Sequence, residues 1–161
     1  MKILGIDPGI ARTGWGIVEA ENAKLKTEHY GCIETFQTKS IEERLQILYE
    51  QLSAIIKEEK PNAMAIEELF FNTNAKTALV VGQARGVILL AAAQAKLSIA
   101  VYTPLQVKIA VTGYGRAEKS QVGQMVKTLL KLPSVPKPDD TADALAIALT
   151  HAFSHKMRMV E

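Results

Sequence analysis

The sequence has a single cysteine, Cys32, so it can build neither an intramolecular disulfide nor a cysteine zinc cluster. A reducing, cytoplasmic setting is the expectation. No uninterrupted apolar run reaches the ~18 residues of a membrane span, so none is expected. The start, Met1-Lys2-Ile3-Leu4-Gly5-Ile6-Asp7, meets an acid too early for the apolar stretch of a signal peptide. Internal repeats, low-complexity tracts and linkers are also missing. The net charge of +2 is too small to name a partner. What remains is an ordinary globular composition, 48% hydrophobic and 22% charged over 161 residues. It excludes a disordered chain, a collagen-like repeat and a coiled coil. One domain over 1–161 with a sizeable core is expected.

Charge is spread unevenly. Residues 1–70 hold 8 Lys/Arg and 12 Asp/Glu, whereas residues 71–161 hold 11 and 5. This asymmetry fits a basic surface facing nucleic acid, and equally an ordinary solvated surface.

The pattern of residues predicts β-β-β-α-β-α-β-α-α. Lys2–Ile6 reads as a buried strand broken by Asp7-Pro8-Gly9, Thr13–Ala20 as a second strand and Leu25–Phe36 as a third, together an antiparallel meander with a turn at Asn22-Ala23. Ser40 and Glu43 form a capping box, and Leu45, Leu48, Leu52 and Ile56 follow at helical spacing up to Pro61. Ala63–Ile66 is a buried strand running into Glu67. From Asn74 to Lys96 the pattern is helical, and the helix, with Ala75, Leu79, Gly82, Gly86, Leu89, Leu90 and Ala93, is expected to pack in the interior or against a second copy. Ile99–Tyr102 is a strand, Pro104 opens a helix, 111–116 is a glycine loop, and Ala117–Lys131 is a helix. After three prolines, Asp139 or Asp140 is expected to cap a last helix.

Four carboxylates stand in unusual places. Asp7 and Glu67 each sit where a buried strand ends. Asp140 and Asp143, at i, i+3, share a face that continues with Ile147 and turns towards the protein. An acid on an apolar face is costly unless it is paired or binds a cation. Taken singly, each has a plain structural explanation: turn former, strand-end surface acid, N-cap, helix-dipole acid. Taken together they point to a divalent cation with oxygen ligands, which suits magnesium better than zinc. Two such ions can activate water and stabilise the leaving oxygen of a phosphodiester.

Ile6-Asp7-Pro8-Gly9, Thr13-Gly14-Trp15-Gly16, Ala65-Ile66-Glu67-Glu68, Gly82-Gln83-Ala84-Arg85-Gly86, Ala117-Glu118-Lys119-Ser120-Gln121-Val122 and Asp140-Thr141-Ala142-Asp143-Ala144-Leu145-Ala146 occur in that order over 3–151. In these segments the chain resembles the RuvC family of crossover junction endodeoxyribonucleases. The resemblance implies an α/β, ribonuclease-H-like fold: a five-stranded mixed sheet of order 3-2-1-4-5 flanked by helices. It implies a homodimer that binds a four-way (Holliday) junction and nicks two opposing strands symmetrically in recombination and repair. It also implies Mg2+ and work alongside the RuvA–RuvB branch-migration complex; two ions per subunit at turnover, with Mn2+ as a substitute, are expected of the carboxylate set, which by itself leaves one or two ions open. Asp7, Glu67, Asp140 and Asp143 match the family's metal-binding catalytic acids. Phe70 matches its stacking aromatic, with Phe71 beside it as a substitute. Lys108 and Lys119 match basic residues near the scissile phosphate, Lys119 with a catalytic role.

From the residues alone, Lys108, Arg116 and Lys119 fall around the glycine loop as candidate phosphate contacts, and Lys127 and Lys131 read as a solvated face. Lys119 stands at a helix start, where the dipole disfavours it and a phosphate would relieve the cost. Phe70 and Phe71 fit stacking on an unpaired base or a place in the core. His29, His151 and His155 form no metal pattern and are expected at the surface. Competing readings are an actin-like ATPase, which needs two such domains, a relative acting on RNA, and a junction-binding scaffold without cleavage.

Overall fold

The computed structural model describes residues 1–22, 24–69 and 74–158. Its strands are β1 (Lys2–Asp7), β2 (Arg12–Glu21), β3 (Lys24–Lys26), β4 (Tyr30–Glu34), β5 (Ala63–Glu67) and β6 (Ser98–Tyr102). Its helices are α1 (Ile41–Glu59), α2 (Ala75–Gln94), α3 (Pro104–Thr112), α4 (Lys119–Leu129) and α5 (Asp139–Arg158).

All strands join one mixed sheet of order β3-β2-β1-β5-β6, with β4 also paired to β2. This is the expected 3-2-1-4-5 order with one correction. The third strand breaks into β3 and β4 because the register slips. Glu19 pairs with Lys26 and Gly16 with Tyr30, so two residues of β2 face three residues of the other chain segment. One extra residue is a bulge, and it ends one ladder and starts the next.

Side chains alternate across the sheet, so each strand feeds two cores. Ile3, Val18 and Ala65 pack with Val107, Val126, Leu145 and Leu149 on the α3–α5 side. Leu4, Ile6, Met64 and Ile66 pack with Leu48, Leu52, Ala84 and Ile88 on the α1–α2 side. The Ser40–Glu43 capping box starts α1 as expected. A second box, Thr103 with Gln106, starts α3 around Pro104.

Three expectations are corrected. Residues 111–112 belong to α3, and only Gly113, at φ 75°, turns the chain out of it. Asp139 and Asp140 both lie inside the first turn of α5, so neither caps it from outside. The face of α2 that carries Leu79, Gly82, Gly86 and Leu90 is outside. Leu79 is 65% and Leu90 52% exposed, and nothing lies within 4 Å of a Cβ built at Gly82 or Gly86. The buried stripe is instead Ala84, Ile88, Ala91 and Ala92. Both faces are small or apolar, so hydrophobic spacing could not choose between them. By length and composition α2 is also the one helix among the described residues that could cross a membrane. Its buried stripe ties it to the sheet.

Candidate active site

Two strand ends and one helix bring the four acids together. Asp7 closes β1 and Glu67 closes β5. By alternation Asp7 shares the α5 side with Ile3 and Gly5, and Glu67 shares it with Ala65. Asp140 and Asp143 project from the start of α5. Glycine lets α5 come close enough. A Cβ at Gly14 would collide with the Asp140 carbonyl, one at Gly5 with the Ala144 carbonyl, and one at Gly16 with the Leu145 side chain. The helix therefore rests on bare strand backbone, and its Asp140 and Asp143 come close enough to act on the strand-end acids. The Thr141 hydroxyl donates to the Gly31 carbonyl at 3.1 Å and pins the start of α5 to β4.

The electrostatics confirm the convergence. Burial, then the charges of Asp143, Glu67 and Asp140, push the Asp7 carboxyl from 3.8 up to about 8, against a smaller pull from Lys119. Burial and then Asp143 raise Glu67. Burial also raises Asp143, and Lys119 only partly offsets it. Lys119 approaches Asp143 Oδ2 at 2.6 Å. Its own burial lowers its pKa, but the Asp143 hydrogen bond and the charges of Asp143, Asp7 and Asp139 more than reverse that. Lys137, close by in sequence, pairs with Asp139 instead, so the partner of Asp143 arrives from α4, and one lysine cannot balance this many acids. Among the described residues no three acidic, histidine or cysteine side chains already converge on a single ligating point.

An open cavity of about 380 Å³ lies against this cluster, lined by Glu67, Asp143, Lys108, Lys119, Pro104 and Val107 among others. Lys108 and Lys119 are therefore placed beside the acids. Arg116 is exposed in the turn before α4 and is not among the residues that line the cavity. Phe70 and Phe71 lie outside the described residues. The helix-start cost at Lys119 is relieved in this structure by Asp143. His29 pairs with Glu59, and His151 bonds Tyr102 at 2.8 Å and packs against His155, so only His29 and His155 match the expected exposure.

The sequence reading passed over Arg85. Its guanidinium donates to the Glu67 main-chain carbonyl at 2.5 Å. The available signal was a charged residue in the middle of an otherwise apolar helix.

The donor set is all carboxylate, its members repel one another, and the most buried member is held protonated near neutrality. These residues fit hard divalent cations with oxygen ligands, which would relieve the repulsion.

Comparison with known proteins gives the same direction. The family model described as crossover junction endodeoxyribonuclease RuvC matches residues 3–151. A protein of that description from Alkaliphilus oremlandii is 59% identical over 154 residues, covering 96% of this chain and 94% of the relative. One from Ruminiclostridium cellulolyticum is 55% identical over 157 residues, covering 98% and 95%. The structure of Thermus thermophilus RuvC in complex with Holliday junction substrate superposes with a TM-score of 0.94 at 39% identity, covering 98% of this chain and 96% of that one.

Proposed function

The chain belongs to the RuvC family of crossover junction endodeoxyribonucleases, with its ribonuclease-H-like fold, and from that premise we propose how its own residues do the work. It is a divalent-metal-dependent endonuclease that resolves four-way DNA junctions in recombination and repair. Asp7, Glu67, Asp140 and Asp143 hold the metal, which is Mg2+, two ions per subunit, with Mn2+ able to substitute. Bound there, the metal supplies Lewis-acid stabilisation and an activated water for phosphodiester hydrolysis. The observation that carries this reading is the meeting of the half-buried Asp7, at the end of β1, and Glu67, at the end of the adjacent β5, with the acids of α5, which rests on Gly5, Gly14 and Gly16.

Lys119 is the cation of this acidic group. With the carboxylates neutralised by the cation they would hold, the Lys119 ammonium would be free to turn to the scissile phosphate, where it opposes the charge that grows on the oxygens in the transition state. Lys108, on the cavity wall, and Arg116, on the adjoining turn, hold neighbouring phosphates. Phe70 or Phe71 stacks on a base at the crossover, three or four residues past Glu67.

Paired cuts need two equivalent sites, so the enzyme acts as a C2 homodimer. The outward face of α2 supports this. That face exposes Leu79 and Leu90, and α2 touches β6, an edge strand whose Ile99 and Val101 are 38% and 46% exposed on the side of the sheet that α2 covers. We place the dimer contact there. One domain over 1–161, in the cytoplasm and beside RuvA–RuvB, completes the proposal.

The test is incubation of the protein with a synthetic four-way junction and with linear duplex, with and without Mg2+. Paired symmetric nicks in the junction, only with metal, are the expected result. Cutting of an RNA substrate in preference, or metal-independent cutting, would overturn the reading.

A further inference from the structure

Lys76 and Arg85 are the only charged residues in α2, and Arg85 turns towards the sheet. Its target has a reason to need a donor. β1 and β5 run parallel in the register Ile3↔Ala63 to Ile6↔Ile66. The Glu68 amide donates to the Tyr102 carbonyl of β6. The alternate residue, Glu67, therefore turns its own N–H and C=O towards β1. In this register the β1 amide that would meet the Glu67 carbonyl belongs to residue 8. Residue 8 is proline, which has no N–H. The Asp-Pro-Gly turn that ends β1 at Asp7 thus strips the ladder bond from the very residue that carries the second acid. A half-buried carbonyl without a donor is costly, and Arg85 reaches in from α2 to supply one.

We infer that Arg85 is a positioning residue for Glu67: its hydrogen bond replaces the ladder bond that Pro8 cannot make and fixes the end of β5, so that the Glu67 carboxylate is held towards Asp143. Arg85 works through the main chain. The charges that move the Glu67 carboxyl, after its burial, are Asp143 and Lys119. The inference rests on the reading of Glu67 as a metal ligand, and its test separates the two.

Arg85→Met keeps the length of the side chain and removes the donor. Arg85→Lys keeps the charge and one donor. Each is compared with the parent for Mn2+ binding without DNA, read from the paramagnetic resonance signal of free Mn2+, for junction binding in EDTA, and for single-turnover cutting against metal concentration. Arg85→Met should weaken Mn2+ binding, and raise the metal needed for half-maximal cutting, by about tenfold, the usual cost of losing a group that orients a ligand. Junction binding in EDTA should stay at the parent level, and Arg85→Lys should show a smaller shift in the same direction. Should Arg85→Met fail to fold, the lysine variant carries the test by itself. Parent-level Mn2+ binding and metal dependence in the folded Arg85 variants would overturn the inference. Glu67→Gln is the control: if it also kept Mn2+ binding and cutting, the reading of the metal site would be what had failed.

Discussion

Strand β1 has a sheltered acid near each end, Glu59 buried and Asp7 half-buried, and the two are opposites. At its start, Glu59 of α1 is only 7% exposed, yet its carboxylate meets Lys2 Nζ at 2.8 Å and His29 Nδ1 at 2.6 Å. Burial pushes the Glu59 pKa up, but the hydrogen bond and charge of Lys2 and the contribution of His29 outweigh it, so the net shift is down. At the other end, Asp7 is surrounded by Asp143, Glu67 and Asp140, and burial and repulsion act in the same direction. Burial therefore does not decide what an acid does. Its partners decide. Glu59 is neutralised by its own chain and is structural. Asp7 has no such partner to offset its burial fully, which is why it is the acid proposed to take a cation from outside.

The sharpest way to break this comparison is to remove charge at the open end. Asp7→Asn should fold and bind junction, and lose single-turnover cutting by about a thousandfold or more, judged by the loss seen when a charge-stabilising group is removed from an active site. The same substitution should stabilise the metal-free protein, on the order of 5 °C in Tm near neutral pH, because the folded parent must hold a proton on Asp7 that the unfolded chain releases at that pH, and asparagine needs none. A metal-free variant no more stable than the parent would contradict the repulsion argued for Asp7.

Lys119→Ala tests the cation that pairs with Asp143 at that end. The expected result is a cutting rate down by about a hundredfold at saturating junction, with a small loss of affinity, because other phosphate contacts remain. A strong loss of binding with a normal rate once bound would make Lys119 a simple phosphate contact.

The pH dependence of stability should distinguish the two ends with opposite signs. The folded-state pKa of Asp7 is raised from 3.8 to about 8. Without metal, the folded state holds that proton more tightly, so the Asp7 contribution is most favourable below pH about 4 and declines as pH rises towards 8. Glu59 is the reverse: its contribution is present above its unfolded pKa and is lost as pH falls through the lowered folded value. Thermal melts in EDTA and in Mg2+ should show the Asp7 decline only in EDTA. The smallest effect belongs to Glu59→Gln. It should cost about 1–2 kcal/mol of stability, discounted because Lys2 and His29 are partly exposed, and leave the cutting rate unchanged. A cutting defect there would erase the distinction between the ends.

What the residues alone determined is local or nearly so. Strand-end placement identified Asp7 and Glu67, helical spacing put Asp140 and Asp143 on one face, and Ser40 with Glu43 marked the start of α1, because each signal is complete within a few residues. The bulge between β3 and β4 was not legible, since it exists only in the register with β2. Nor was the side of α2 that faces the sheet, because both of its faces are small and apolar. Tertiary structure alone brought Lys119 to Asp143, Arg85 to the Glu67 carbonyl, and Lys2 with His29 to Glu59. It alone laid α5 on the glycines of β1 and β2. These pairs are distant in sequence, and no period or spacing links them. Their meeting depends on how closely backbones approach across the sheet, and that approach is what raises Asp7 to about 8 and leaves Glu59 below its ordinary value.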